Sequence, residues 1–265
     1  MTDSAVLVLR LAAPLQAWGA PSRYNRRDTH PQPTKSGVLG LLAAAGGRPR
    51  DASLTDLLGL QLGVRVDQPG SLLRDYHTVS DHRGLPLPAG KVDAKGVQKK
   101  TSPAKYTHVT QRYYLQDAVF IAALRGPAPL LESLDHAVKH PHFPLSLGRR
   151  SCPPTGPVTL GLRPDAELTD ILAAVPWQAS AHHRRRTRDV QVTLEATVED
   201  PAGEDLVADV PDTYDLREGT TFTQRAVRHL WVTVPTGHEQ PTGDAPTPST
   251  GPGHTGHDPF ALLGW

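Results

Sequence analysis

The sequence predicts an α+β fold in which a ferredoxin-like β-sheet carries helices on one face. Its segments follow the order strand, helix, strand, strand, helix and a further short apolar segment, close to the β-α-β-β-α-β pattern. The 265 residues are enough for an ample core. A single cysteine, Cys152, excludes an intrachain disulfide, so the core must hold the chain together.

The first strand and the first helix are predicted by runs of apolar residues. Residues 5–11 (AVLVLRL) are rich in β-branched side chains and lie before Pro14, which is typical of a buried strand. Residues 37–45 (GVLGLLAAA) predict a short helix that begins near Ser36 and ends at Gly46-Gly47.

The later elements of the first part follow from capping residues and from alternation. Ser53 is placed to cap a second short helix. An amphipathic pattern after Gly126-Pro127 predicts the last helix of this part. The predicted strands lie at 60–66, 72–79, Tyr113 to Leu124 and 158–162, and the last helix spans 128–139.

The composition divides the chain into three predicted regions. Residues 1–163 form the ferredoxin-like domain, and residues 164–235 form a smaller, β-rich C-terminal α/β portion packed on it. This portion has a helix near 166–175 and strands near 190–198 and 226–234, joined by an acidic link. Residues 236–265 form a Pro/Gly/His tail that cannot build a core and is expected to be disordered.

The charge is strongly segregated although the formal net charge is only +1. Residues 1–163 carry 21 Lys and Arg against 11 Asp and Glu, whereas residues 164–265 carry 7 against 16. This pattern indicates a polyanion-binding front and an acidic region that faces either solvent or a basic partner. No signal peptide and no apolar run of membrane-spanning length occurs, so a cytoplasmic protein without a membrane partner is expected.

The loop between the first strand and the first helix is the first candidate site. It is rich in cations and leads to a helix N-terminus, where free N–H groups and the helix dipole favour an anion. A polymeric phosphate ligand is the interpretation we prefer. The candidate residues are Arg23, Arg26, Arg27, Lys35 and Ser36, and Trp18 is either a base-stacking residue or, more often in such a position, a core residue.

Three further segments carry candidate RNA-binding residues. In the turn at 148–150, a glycine gives the backbone access to a phosphate and arginines can pair with it, although a surface turn with an ion pair explains the same residues. The strand at 72–79 alternates polar side chains, and residues 80–112 form a basic loop whose length is typical of functional loops. The candidates are Gly148, Arg149, Arg150, Arg74, Tyr76, His77, Lys105 and Arg112.

Five strings of this sequence resemble a known family. They are, in chain order, LVLRLAAPLQAWG, PTKSGVLGLLAAA, LRDYHTV, YYLQDAVF and LGRRSCPP. Together they are similar to the fifth Cas family, in the CasD form of the type I-E CRISPR Cascade. The resemblance covers residues 5–163 and is thin from residue 164 onward. It implies a modified ferredoxin-like (RAMP) fold in which residues 80–112 form a projecting β-hairpin, called the thumb.

The resemblance also implies a function. Such subunits cap the 5′ handle of the crRNA in the antiviral complex, contact the CasC backbone subunits and the CasA large subunit, and reach target DNA only through the complex. A non-catalytic subunit without cofactor or metal is therefore expected. The alternative is a metal-independent pre-crRNA endoribonuclease of the type I-C kind, for which Lys105, Tyr106 and His108 with Tyr76-His77 supply candidate acid and base groups. A generic RRM-type RNA-binding protein leaves LGRRSCPP unexplained.

Overall fold

The first strand is buried along nearly its whole length, and the rest of the fold is arranged around it. The computed structural model describes residues 4–19, 25–215 and 221–237. The strands are β1 (Ser4–Ala12), β2 (Leu15–Gln16), β3 (Arg26–Arg27), β4 (Gln61–Gln68), β5 (Ser71–Ser80), β6 (Leu87–Val92), β7 (Gln98–Lys105), β8 (Thr107–Gln116), β9 (Val119–Pro127), β10 (Thr159–Pro164), β11 (Gln191–Glu199), β12 (Asp205–Pro211) and β13 (Phe222–Pro235). The helices are α1 (Lys35–Ala45), α2 (Thr55–Leu58), α3 (Ala128–Lys139), α4 (Leu168–Ala174) and α5 (Ala181–Arg186).

Seven strands form one antiparallel sheet in the order β10-β1-β9-β4-β11-β13-β12. Strands β1 and β9 pair over their full lengths, from Ser4 opposite Pro127 to Ala12 opposite Val119. The C-terminal strands join this sheet through the pairing of β11 with β4. The sheet is therefore continuous across residues 163 and 164, which both lie in β10.

Helices cover both faces of this sheet, whereas the sequence predicted helices on one face only. The odd-numbered leucines of β1, such as Leu7 and Leu9, pack in one core with residues of α1 and α3. The even-numbered Val6 and Val8 pack in a second core with α4. Because β1 is apolar at both odd and even positions, each face must be covered to keep these side chains from water.

A second, smaller sheet projects from the end of β4. Strand β5 pairs with β8 over ten positions, from Ser71 opposite Gln116 to Ser80 opposite Thr107. Strands β2 and β3 pair with the other edge of β8, and β6 and β7 form a separate two-stranded hairpin. The basic segment 80–112 thus consists of this hairpin and the outer ends of β5 and β8.

The single long strand predicted from Tyr113 to Leu124 is wrong, because the chain changes sheets within it. Strand β8 ends at Gln116, Asp117 has a positive φ of 56°, and β9 starts at Val119. The side-chain amide of Gln68 donates to the main-chain carbonyl and carboxylate of Asp117, at 2.6 and 2.7 Å. The bend lets β8 pair in the small sheet and β9 in the large one.

The other predicted helices and strands are found within a few residues of their predicted bounds, but the predicted acidic link also contains β12, which pairs with β13. Helix α3 spans the predicted residues 128–139. Helix α1 begins at Lys35, one residue earlier than predicted, and the Thr34 hydroxyl caps it by accepting from the Gly37 N–H. Beyond Gly237, the predicted disordered tail lies outside the described residues.

Candidate nucleic-acid interface

Arginine and tyrosine side chains lie together on one exposed face of the β5–β8 ladder. The register places Arg74 opposite Tyr113 and Tyr76 opposite Gln111, so these four side chains share a face. From the neighbouring strand β3, the guanidinium carbon of Arg26 lies 4.9 Å from the centre of the Tyr113 ring. We call Arg26, Arg74, Tyr76, Gln111 and Tyr113 the arginine–tyrosine face.

The exposure of this face suits it for a ligand. Tyr76 is 67% exposed, and the Arg26 side chain is 63% exposed while it pairs with Asp28 at 2.9 Å. Tyrosine rings and guanidinium planes stack on unpaired bases, and arginine also pairs with phosphates. The face therefore offers both contacts that a single-stranded nucleic acid requires.

The arginine turn at 148–150 contains two arginines in different environments. Arg149 donates to the carbonyls of Tyr113 (2.8 Å), Arg27 (3.0 Å) and Asp28 (3.3 Å), and its guanidinium lies 4.6 Å from the centre of the Tyr114 ring. These contacts hold Nη1 and Nη2 on main-chain carbonyls, so Arg149 ties β8 to the loop after β3. Arg150, in contrast, is exposed.

Gly148 has a structural reason for being glycine. Its φ is +90°, and a Cβ at this position would lie 1.6 Å from the carbonyl oxygen of Ala17. Its N–H donates to the Ser146 carbonyl at 3.0 Å. The glycine thus permits close packing of two loops. The sequence suggested that its N–H would be available to a phosphate, but this N–H is already used within the turn.

The helix N-terminus predicted to bind an external anion already holds an internal one. The Lys35 N–H donates to the Asp209 carboxylate at 2.7 Å, and the Lys35 ammonium pairs with Glu199 at 2.9 Å. Arg225 pairs in turn with Asp209 at 2.7 Å. Lys35 and Ser36 are 2% and 8% exposed, so the structure corrects their assignment as RNA ligands.

Trp18 is a core residue, which was the preferred interpretation of the sequence. It is 1% exposed, and its indole N–H donates to the side-chain carbonyl of Gln16 at 3.2 Å. A Cβ added to Gly37 of α1 would lie 2.7 Å from its ring. The ring is therefore inaccessible for base stacking.

The remaining predicted residues divide between exposed and half-buried positions. Lys105 at the end of β7 is exposed, as are Lys91, Lys95, Lys99 and Lys100 of the same segment, and Arg27 of β3. Arg112 is half-buried, and its Nε donates to the Thr110 hydroxyl at 3.2 Å. Arg23 lies outside the described residues.

The groups proposed for an acid–base pair are only partly brought together. Tyr76 and His77 are adjacent in β5 and therefore point to opposite faces. His77 pairs with Asp75 at 3.3 Å, and it shares its face with His108, which lies opposite Val79. Tyr76 is thus on the wrong face to act with these two histidines.

The sequence analysis missed two residues of this face, Gln111 and Tyr113, and Tyr113 is the more informative of them. Its neighbours Arg26 and Arg74 are 87 and 39 positions away along the chain, and only the pairing of β8 with β3 and β5 brings them together. The available signal was its position in an alternating segment, two residues from Gln111. That signal does not reveal which residues lie across the ladder.

Comparison with known proteins decides the family. The sequence model of the CRISPR-associated protein family Cas_Cas5 matches residues 6–235. The chain belongs to the Cas5 family. The resemblance stated from the sequence motifs is thereby confirmed, and the match extends beyond residue 163, where the motifs become thin.

Individual Cas5-related proteins give the same result. The CRISPR system Cascade subunit CasD of Escherichia coli (strain K12) is 39% identical over 173 residues, which cover 58% of this chain and 70% of that protein. A structure titled CRISPR RNA-guided surveillance complex matches with a TM-score of 0.68 and 33% identity, covering 87% of this chain and 91% of the matched chain. A structure titled Crystal structure of Cas protein matches with a TM-score of 0.63 and 37% identity, covering 87% and 97%.

The matched structures are consistent with the mixed α+β fold and its large antiparallel sheet. Among the helices in the described ranges, none combines the length and the apolar character that crossing a membrane requires.

Proposed function

We propose that this Cas5-family chain is a non-catalytic crRNA-binding subunit of a type I-E Cascade complex and holds the 5′ handle of the crRNA. The observation that carries the proposal is the arginine–tyrosine face, which combines exposed cations with the exposed ring of Tyr76. Family membership and the similarity to CasD of E. coli support the complex in which the subunit acts.

Each part of this face has a separate role in the proposed binding. Arg26 and Arg74 hold phosphates, and the lysines of segment 80–112 add salt-dependent attraction that does not depend on sequence. Tyr76 stacks on a base that is turned out of the strand, and the half-buried Tyr113 ring supports the Arg26 guanidinium. Arg150 adds an exposed cation from the arginine turn, and Arg112 projects from the opposite face of β8. Arg149 positions β8 and the loop after β3 through its three carbonyl contacts.

The architecture supports the ferredoxin-like and thumb assignments. The strand order β10-β1-β9-β4, with α1 and α3 packed on one face, fits a β-α-β-β-α-β unit. We assign the thumb to residues 80–112, where Leu85, Val97 and Tyr106 are exposed hydrophobic side chains in a segment rich in lysines. Such a surface suits contact with the CasC backbone subunit, while the body contacts the CasA large subunit and target DNA is reached only through the complex.

The first test separates binding from cleavage. The purified full chain is incubated with 5′-labelled repeat RNA in EDTA, and the RNA is run on native and denaturing gels. We expect a shifted and intact RNA. A discrete, metal-independent cut within the repeat would instead support the endoribonuclease alternative and overturn the non-catalytic assignment.

The second test addresses the face itself. Tyr76→Ala is expected to weaken handle binding by about 1–3 kcal/mol, because one stacked base loses its platform. Phe143→Ala is the matched control, since Phe143 is also an exposed aromatic residue, 46% exposed, and lies in the segment after α3. Equal binding by the two variants would remove Tyr76 from the interface.

A further inference from the structure

The second half of the chain is acidic, yet it carries one concentrated cluster of arginines. Residues 164–265 contain seven arginines and no lysine, and four of the seven are Arg184, Arg185, Arg186 and Arg188. All four are exposed, at the end of helix α5 and just beyond it. We call these four residues the α5 arginine cluster; they do not belong to the arginine–tyrosine face.

The cluster lies on a well-anchored part of the fold. The Ser180 hydroxyl caps α5 by accepting from the His183 N–H at 3.2 Å, and the Ser180 N–H donates to the Gln68 side chain at 3.0 Å. The His183 ring contacts buried Trp177 edge to face, with ring centres 5.6 Å apart. Since these contacts use the inner side of α5, the arginines are directed outward from a fixed support.

The charges of Arg185, Arg186 and Arg188 are not neutralised in the way that those of other arginines of this half are. Arg225 and Arg228 pair with Asp209 and Asp200, at 2.7 and 3.0 Å. Within the described part of the chain, no carboxylate lies at salt-bridge distance from Arg185, Arg186 or Arg188.

A further cation adds to the local positive charge. Arg10 of β1 donates to the Gln178 carbonyl at 3.5 Å, just before α5. Burial and, to a smaller degree, the positive charge of Arg184 lower the pKa of Arg10, while Asp67 opposes this change. Like charges brought this close repel one another, and a bound polyanion would relieve that repulsion.

The surroundings of the cluster distinguish between kinds of polyanion. Binding of single strands commonly uses exposed aromatic rings as stacking platforms. Trp177 is the only Phe, Trp or Tyr between residues 160 and 190, and it is 3% exposed. Arginines in a segment with no exposed Phe, Trp or Tyr side chain favour a nucleic acid whose bases are already stacked inside a duplex and which presents its phosphates.

We infer that the α5 arginine cluster is a second nucleic-acid site, which binds the phosphate backbone of a duplex without reading its sequence. This site is additional to the proposed handle interface and does not depend on it. Its position on the α4 side of the large sheet separates it from the small sheet that carries the arginine–tyrosine face.

The test measures binding of a random-sequence DNA duplex of about 20 base pairs to the full chain over a range of salt concentrations. In the double variant Arg185→Gln/Arg186→Gln, each lost phosphate contact is expected to reduce the slope of log K against log salt concentration by about 0.9. Each lost contact is also expected to lower the affinity for the duplex about five-fold at 0.15 M salt. Arg185→Lys/Arg186→Lys keeps the charges and is expected to keep most of the slope.

The matched control is Arg50→Gln/Arg228→Gln, which removes the same charge from exposed positions elsewhere. If the Arg185→Gln/Arg186→Gln variant binds the duplex as tightly as this control does, the inference is overturned. A loss that is equally large for single-stranded RNA would overturn the duplex assignment. Handle binding by Tyr76→Ala tests the other site, so either proposal can fail while the other stands.

Discussion

Adjacent arginines at 149 and 150 provide a sharp test of the structure, because the sequence assigns both of them to RNA and the structure separates their roles. Arg149→Ala removes three hydrogen bonds to main-chain carbonyls and the contact with the Tyr114 ring. Arg150→Ala removes an exposed cation only. We therefore predict loss of stability for the first variant and loss of RNA affinity for the second.

The expected magnitude follows from the contacts of Arg149. Charged donors contribute about 1.5–3 kcal/mol per hydrogen bond when buried, and partial exposure here lowers this to about 1 kcal/mol each. The ring contact adds about 0.5–1 kcal/mol. Arg149→Ala should therefore reduce the free energy of unfolding by about 3–4 kcal/mol, whereas Arg150→Ala should change it by less than about 0.5 kcal/mol.

Urea unfolding followed by circular dichroism measures both variants, and Arg149→Lys is a useful third. Lysine keeps the charge but cannot reach three carbonyls with a planar fork, so it should recover only part of the loss. Handle binding is measured on the same samples under conditions where each variant is folded. If Arg149→Ala is as stable as Arg150→Ala, the structural role of Arg149 is refuted.

Three further predictions concern buried residues. Lys35→Met should destabilise the fold by about 3 kcal/mol, because Glu199 loses its closest cation. It should leave the salt dependence of handle binding unchanged, and a reduced salt slope would instead show that Lys35 contacts the RNA. Trp18→Ala should cost about 3–5 kcal/mol in urea unfolding, and Trp18→Phe much less; equal effects would argue against tight packing of the indole. Burial raises the pKa of the Cys152 thiol, so a thiol reagent at pH 8 should label native protein slowly and urea-unfolded protein fast; rapid native labelling would contradict the burial.

The helices show which features follow from local pattern. Helix α3 has the predicted bounds because its amphipathic repeat begins just after Gly126-Pro127, and both signals lie within the segment itself. The end of β8 has no such signal, because residues on either side of Asp117 are equally suited to strands. The bend there depends on Gln68, which reaches Asp117 from another strand.

The candidate site shows the same division. The alternation of Arg74 and Tyr76 was enough to place them on one face of their strand. Residues Lys35 and Arg149 have the cationic character of RNA ligands, but each is occupied by partners more than 30 positions away, such as Glu199 for Lys35. Local sequence does not contain that information.

The sequence by itself determined the family, the mixed α+β composition, most element boundaries and the positive character of the first part of the chain. Only the tertiary structure decided which cations remain exposed, because the availability of a charge depends on the carboxylates and carbonyls that packing brings against it. Lys35 meets Glu199 through the joining of β11 to the large sheet, whereas Arg185, Arg186 and Arg188 meet no carboxylate in the described ranges. The distinction between a ligand-binding cation and a structural one is therefore a property of long-range contacts.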